Sequence, residues 1–299
     1  MRIAVASGKG GTGKTTVAVS LALSMAYAGE QISSVPPAPL FLDCDVEAPN
    51  AHIFLKPAIT HRQTAGIQIP LVDEEKCTHC GICAQVCQYH AIAALGKKVL
   101  IFPQLCHGCG SCAAMCPSGA ITESVYENGV LERGVAREGI DFARGVLNTG
   151  EPMAVPVIRQ LKEWARPAPD QTVIVDAPPG TSCPVVEAVK DADYLLLVSE
   201  PTPFGLHDLR LAVEVTRELQ IPAGVVINRS GSSYDEQLEA YCREYRLPVL
   251  LRIPFERQIA EGIARGSSLI EIHPEYQAQF LEMAAVIQVT QLEARSIWL

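Results

Sequence analysis

Two groups of residues in this 299-residue chain have the types and spacing to do chemistry. The first is Gly8-Lys9-Gly10-Gly11-Thr12-Gly13-Lys14-Thr15, which has the form G-x-x-x-x-G-K-[ST]. Glycines there let successive backbone N–H groups turn inward around phosphate oxygens. Lys14 is the residue type that holds β and γ phosphates, Thr15 the one that ligates magnesium, and Thr16 continues the nucleotide-contacting stretch. The plainer reading is a glycine-rich turn. The second group is eight of the eleven cysteines, in the runs Cys77-x2-Cys80-x2-Cys83-x3-Cys87 and Cys106-x2-Cys109-x2-Cys112-x3-Cys116-Pro117. Three closely spaced thiolates wrap one face of a [4Fe-4S] cubane, and the fourth then reaches the other cluster. One cluster is therefore expected on Cys77, Cys80, Cys83 and Cys116, the other on Cys106, Cys109, Cys112 and Cys87. Gly81 and Gly110 free the backbone to bend around them. Structural zinc is the alternative, but it prefers ligand pairs separated by a longer loop. His79, His90 and His107 lie nearby and read as hydrogen-bonding or solvated, since eight ligands are already present.

The elements that must position these groups follow from apolar spacing. Ile3 to Ala6 is a β-type run leading into the glycine-rich stretch, and Thr15 to Ala28 has helical spacing. A connector, Ser33 to Pro39, precedes a strand at Leu40 to Leu42 that ends in Asp43-Cys44-Asp45. From about Pro57 to about Ile140 the βα rhythm stops, and cysteines, glycines and short polar turns take over. It resumes with a helix at Val155 to Trp164 and strands at Thr172 to Val175, Tyr194 to Val198, Val225 to Ile227 and Val249 to Ile253. Strands alternating with helices imply a doubly wound, mostly parallel α/β sheet. Two units are expected: residues 1–56 with 141–299, and an inserted α+β unit at 57–140. Pro274 to Leu299 reads as a helix packed on the sheet through Phe280, Leu281, Ala284, Ile287 and Leu292. A membrane-surface helix would carry Lys or Arg on its polar face, and only Arg295 does.

Composition narrows the partners. A formal charge of -9 and a pI near 5.3 leave no basic footprint for nucleic acid. No apolar run approaches the ~20 residues that span a bilayer, and the N-terminus has no charged-then-apolar leader. Cytoplasmic localisation is expected, where thiols serve metals or catalysis rather than disulfides. Cys44 and Cys242 read as packing residues.

With Lys9 included, Lys-Gly-Gly-x-Gly-Lys-Thr resembles the deviant Walker A motif of the MinD/ParA/nitrogenase-iron-protein family of P-loop ATPases. The resemblance implies an ATP-dependent homodimer in which Lys9 reaches the nucleotide of the second subunit; a solvated Lys9 is the bland alternative. Val173-Ile174-Val175-Asp176 reads as a Walker B strand whose acid orients the magnesium shell. Ala177 to Thr181 resembles switch II, with Gly180 sensing the γ-phosphate. Asp43 and Asp45 resemble the switch I pair, Asp45 positioning the attacking water and Asp43 lying nearer magnesium; two acids acting as helix caps at a strand end are the plainer alternative. Asn228 and Arg229 look like the family's adenine-reading pair, and Arg252 to Phe255, with Pro254, like its base-covering loop. Cys183 resembles by its offset a cluster ligand of the nitrogenase iron protein; the plainer reading is a small packed residue. The cysteine runs resemble a bacterial ferredoxin inserted into such an ATPase, except that Gln88 stands where proline would follow the fourth cysteine. The function implied is ATP-gated electron transfer to an unknown redox partner. An iron-sulfur cluster carrier delivering to an accepting protein is the alternative, and a MinD-like spatial organiser a third, for which neither tail nor charge supplies a surface.

Overall fold

The computed structural model describes residues 1–31 and 38–296. Of the expected connector, residues 33–37 lie outside these, as do the side chains of Leu292 and Arg295. Among the described residues eleven strands form: β1 (Arg2–Ala6), β2 (Leu40–Asp43), β3 (Ala58–Val72), β4 (Ile92–Leu95), β5 (Lys98–Ile101), β6 (Ile121–Val135), β7 (Asp141–Leu147), β8 (Val173–Asp176), β9 (Tyr194–Ser199), β10 (Ala223–Ser230) and β11 (Val249–Pro254). Nine make one sheet in the order β11-β10-β9-β1-β8-β2-β7-β6-β3, while β4 and β5 pair separately. From β11 to β7 neighbours run parallel; β6 and β3 are antiparallel.

The central parallel strands β1, β2, β8 and β9 carry short apolar runs because both their faces are covered. Successive residues alternate between two cores: Ala4 and Ala6 face the helices Val155–Trp164, Cys183–Val189 and Pro203–Glu218, whereas Ile3 and Val5 face the helices Lys14–Gln31 and Tyr276–Ser296. The expected C-terminal helix thus packs on the sheet through Phe280, Met283 and Ile287. Among the described residues, no helix is long and apolar enough to cross a membrane.

Residues 57–140 are more regular than the sequence suggests, and β7 was not foreseen. Two 15-residue strands, β3 and β6, pair along their whole length. At its C-terminal end, from Gly129, β6 also pairs with β7, so the base of this ribbon belongs to the main sheet. Its other half runs clear of the sheet and carries the cysteine runs between Val72 and Ile121. Where it leaves, the register slips between Ala65 and Gly66, so Asn128 is the extra residue of a bulge. Gln160 pins that point: its Nε2 donates to the Gly66 carbonyl at 2.8 Å, and its Oε1 accepts from the Gly66 N–H at 3.3 Å. Glu132 bridges the ribbon's base, taking Arg62 of β3 at 2.9 Å and Arg144 of β7 at 2.7 Å. Arg144 sits in register with Asp43 of β2, which completes a lateral row of alternating charge across four strands.

At Gly134 a Cβ would lie 1.9 Å from the Ala58 carbonyl oxygen, so only glycine lets β3 and β6 approach there. Gly134→Ala is expected to cost about 1–3 kcal/mol through forced strand separation, read as a lower urea midpoint with an unchanged slope.

Candidate nucleotide site and paired cysteine cavities

Parallel α/β sheets bind ligands beyond the carboxyl ends of their strands, and the candidate residues gather there. The phosphate loop follows β1, Asp43 and Asp176 end β2 and β8, Glu200 follows β9, and Asn228 and Pro254 lie at the ends of β10 and β11. Lys14 Nζ stands 3.3 Å from Asp176 Oδ1 and 3.9 Å from Asp45 Oδ2. Thr15 Oγ1 donates to Asp176 Oδ2 at 2.6 Å. Asp43 accepts from the backbone N–H groups of Ala51 at 3.1 Å and Asp45 at 3.3 Å, so it does cap the helix Ala51–Leu55 while facing the site. Burial, then the nearby Asp176, holds the Asp43 carboxyl well above the usual carboxylate range. Burial also raises Asp45, against the pull of Lys14. A hydroxyl and carboxylates around one spot are hard oxygen donors of the kind magnesium takes.

Gly11 and Gly13 adopt left-handed backbone, φ 78° and 93°. A Cβ on Gly13 would lie 2.3 Å from Asn228 Nδ2, the atom that donates to the Thr12 carbonyl at 2.7 Å. Gly8 has no room for a Cβ against the Asp208 backbone, and Gly10 is open to solvent. Gly180 donates its N–H to the Ser7 carbonyl at 2.9 Å, tying the segment after β8 to the start of the loop. Beside the loop opens a cavity of about 280 Å³, lined by Gly13, Thr16, Asn228, Arg229, Pro254 and Phe255 among others. Its size and half-apolar wall suit a base and ribose.

Lys9 is not solvated alone: its ammonium pairs with Glu200 Oε1, while Arg229 Nη1 takes Oε2 at 2.8 Å. Arg229 Nη2 also donates to the Gly11 carbonyl at 3.1 Å. Burial raises the Glu200 carboxyl, yet hydrogen bonding and charge from Lys9, then Arg229, outweigh it and the net direction is downward. Glu200 is absent from the sequence-derived set; an acid immediately after an apolar strand at the sheet's carboxyl edge is the signal that could have found it.

The eight cysteines line two separate cavities. One is bordered by Cys77, Cys80, Cys83 and Cys116, the other by Cys87, Cys106, Cys109 and Cys112. The two cavities are alike in size, about 20 Å³ each. The two runs are also conformational repeats: left-handed residues occur at His79 and Gly108, Gly81 and Gly110, and His90 and Gly119, at equal offsets from Cys77 and Cys106. A short helix follows each glycine, Ile82–Val86 and Ser111–Ala114, and carries the chain toward the other cavity. Among the described residues no three His, Cys, Asp or Glu side chains converge on a point as for one metal ion. Four thiols ranged around a cavity fit a polynuclear cluster, whose outer sulfur ligands stand farther apart than those around a single ion. Burial pushes the thiols of Cys83, Cys106 and Cys112 up, so loading would release their protons. His107 stacks on Tyr89 at 3.7 Å, and His79 lies 3.5 Å from Glu74. Cys44 and Cys242 are buried as expected, but Cys183 is exposed at the start of its helix and is not a packed residue.

A phosphate loop on a parallel sheet, facing strand-end acids and a base-sized cleft, defines a P-loop nucleotide-binding protein. Residues 3–270 match the CobQ/CobB/MinD/ParA nucleotide binding domain, and the chain belongs to that family. It is similar to an uncharacterized protein of Methanocaldococcus jannaschii, 29% identical over 285 residues, which are 91% of this chain and 92% of that one. An iron-sulfur cluster carrier protein of Synechocystis is 24% identical over 91% of this chain and 65% of its own length. Among solved structures, the septum site-determining protein MinD of Pyrococcus horikoshii, complexed with Mg-ADP, shares the fold with TM-score 0.56 at 20% identity, covering 95% of this chain and 93% of that one.

Proposed function

We propose that the chain is an ATP-binding and hydrolysing iron-sulfur protein, in which nucleotide state gates electron transfer through two [4Fe-4S] clusters to a partner protein. The observation that carries this is the division of the cysteines: each cavity takes three from one run and the fourth from the other, as paired-cluster proteins do. In this reading residues 1–56 and 141–299 are the ATPase and residues 57–140 the inserted ferredoxin-like unit. When bound, the clusters supply one-electron carriers, and magnesium neutralises phosphate charge.

The chain's own residues do the rest. Backbone N–H groups of Gly10 to Lys14 and the Lys14 ammonium grip the phosphates, while Thr15, Asp43 and Asp176 hold the magnesium shell. Asp45 orients the attacking water, and Gly180 reports the γ-phosphate. Asn228, Arg229 and Pro254 hold the base. Lys9 is offered to the nucleotide of a second copy, on a face where Phe204 and Phe255 stand three-quarters exposed. Nucleic acid and membrane have no place in this scheme, and the cytoplasm is its compartment.

A second reading is a cluster carrier. It is favoured by the name of the Synechocystis relative and by the exposure of Cys80 and Cys109 at the cavity rims. Potentiometric titration of anaerobically prepared protein, with and without a non-hydrolysable ATP analogue, separates the two. Gating predicts that the analogue shifts the cluster midpoint potential or reduction rate. Unchanged redox behaviour, accompanied by cluster transfer to an apo-protein, would reject gating in favour of delivery.

A further inference from the structure

The geometry points to Glu200 as a positioning residue that parks Lys9 inside its own subunit until nucleotide-driven pairing of two copies draws the lysine out. This inference rests on the reading of Lys9 as a cation used in trans.

Three observations carry it. Glu200 sits on a fixed mount: its carbonyl accepts from the Thr202 N–H at 2.8 Å, and a Cβ on Gly205 would lie 2.1 Å from that same carbonyl. Thr202 Oγ1 and Ser199 Oγ bond the Gly205 N–H and carbonyl at 2.9 and 3.0 Å, which leaves the turn little freedom. Lys9, by contrast, carries its ammonium on a long flexible stem and is the more exposed partner of the pair, 32% against 10%.

The third observation makes release feasible. Removing one member of a buried ion pair normally leaves a bare charge and is strongly opposed. Glu200 has two cationic partners on separate oxygens, so Arg229 keeps it compensated when Lys9 departs. The lysine can therefore exchange one anion for another, the carboxylate for the phosphates of the facing subunit. Parking also keeps a free cation away from the subunit's own nucleotide, so hydrolysis waits for the pair.

Sedimentation of wild type, Glu200→Gln, Lys9→Ala and the double variant, each with a non-hydrolysable ATP analogue, tests this. Losing a charge-assisted hydrogen bond from the open state alone is expected to lower the dimerisation threshold of Glu200→Gln by about tenfold or more. The double variant is expected to associate no more tightly than Lys9→Ala. Glu200→Gln that melts like wild type yet pairs at the same or a higher concentration overturns the parking role. A normal Lys9→Ala removes the trans reading as well, whereas a Lys9→Ala defect beside an unchanged Glu200→Gln removes parking alone. Amine acylation of nucleotide-free wild type provides a check without variants. Lys9 labelled slowly relative to the exposed Lys97 supports parking, and equal labelling overturns it.

Discussion

Cys80→Ser combined with Cys87→Ser is expected to abolish cluster binding, while Cys87→Ser combined with Cys109→Ser leaves one cluster intact. The reason is that Cys87 and Cys109 border the same cavity, although they belong to different runs, whereas Cys80 borders the other. Wild type should hold about eight irons per chain, the first pair of substitutions close to none, and the second about four. If each run enclosed its own cluster, the results would reverse: Cys80 and Cys87 would damage one site and Cys87 and Cys109 both. Iron and acid-labile sulfide analysis with cluster electron paramagnetic resonance decides between them. Retained nucleotide binding shows that the sheet has survived.

Lys9→Ala is expected to depress ATP hydrolysis by about a thousandfold or more, the scale associated with a cation supplied to a phosphoryl-transfer site from outside, with nucleotide affinity largely kept. Lys14→Ala should lose affinity as well, because Lys14 is the cation that faces Asp45 and Asp176 directly. Without it these carboxylates and Asp43 face one another uncompensated, which opposes phosphate binding. Equilibrium binding of a fluorescent ATP analogue beside steady-state phosphate release distinguishes the two outcomes. Hydrolysis at full rate in Lys9→Ala would remove the trans role.

The sequence disclosed these sites unevenly, for physical reasons. The phosphate loop and the strands leading to Asp43 and Asp176 were legible because parallel strands buried on both faces are short apolar runs, as in Val173 to Val175. The division of cysteines between the two cavities was legible from their spacing. The ribbon was not: β3 is an edge strand with His61, Arg62, Gln63 and Thr64 facing solvent, so it shows neither an apolar run nor clean alternation. β7 was hidden because Arg144 and Gly145 interrupt its apolar residues, and both are explained only in three dimensions. Arg144 neutralises Glu132, and Gly145 makes room for Val46 and Val157. Glu200 escaped for a similar reason, since its two partners are 191 and 29 residues away.

The ribbon has the shape of a lever arm. Seven residues, Gly66 to Val72, extend past the bulge, a reach of roughly 20 Å at about 3.3 Å per residue, so a tilt of about a tenth of a radian at its root swings the far tip by about 2 Å. Its root is fastened to the strand beside Asp43 by the Arg144–Glu132 pair, and to the helix Val155–Trp164 by Gln160. In the gated scheme proposed above, a small tilt at this root would be magnified where the thiols sit, with Gly66 and Asn128 as the fulcrum.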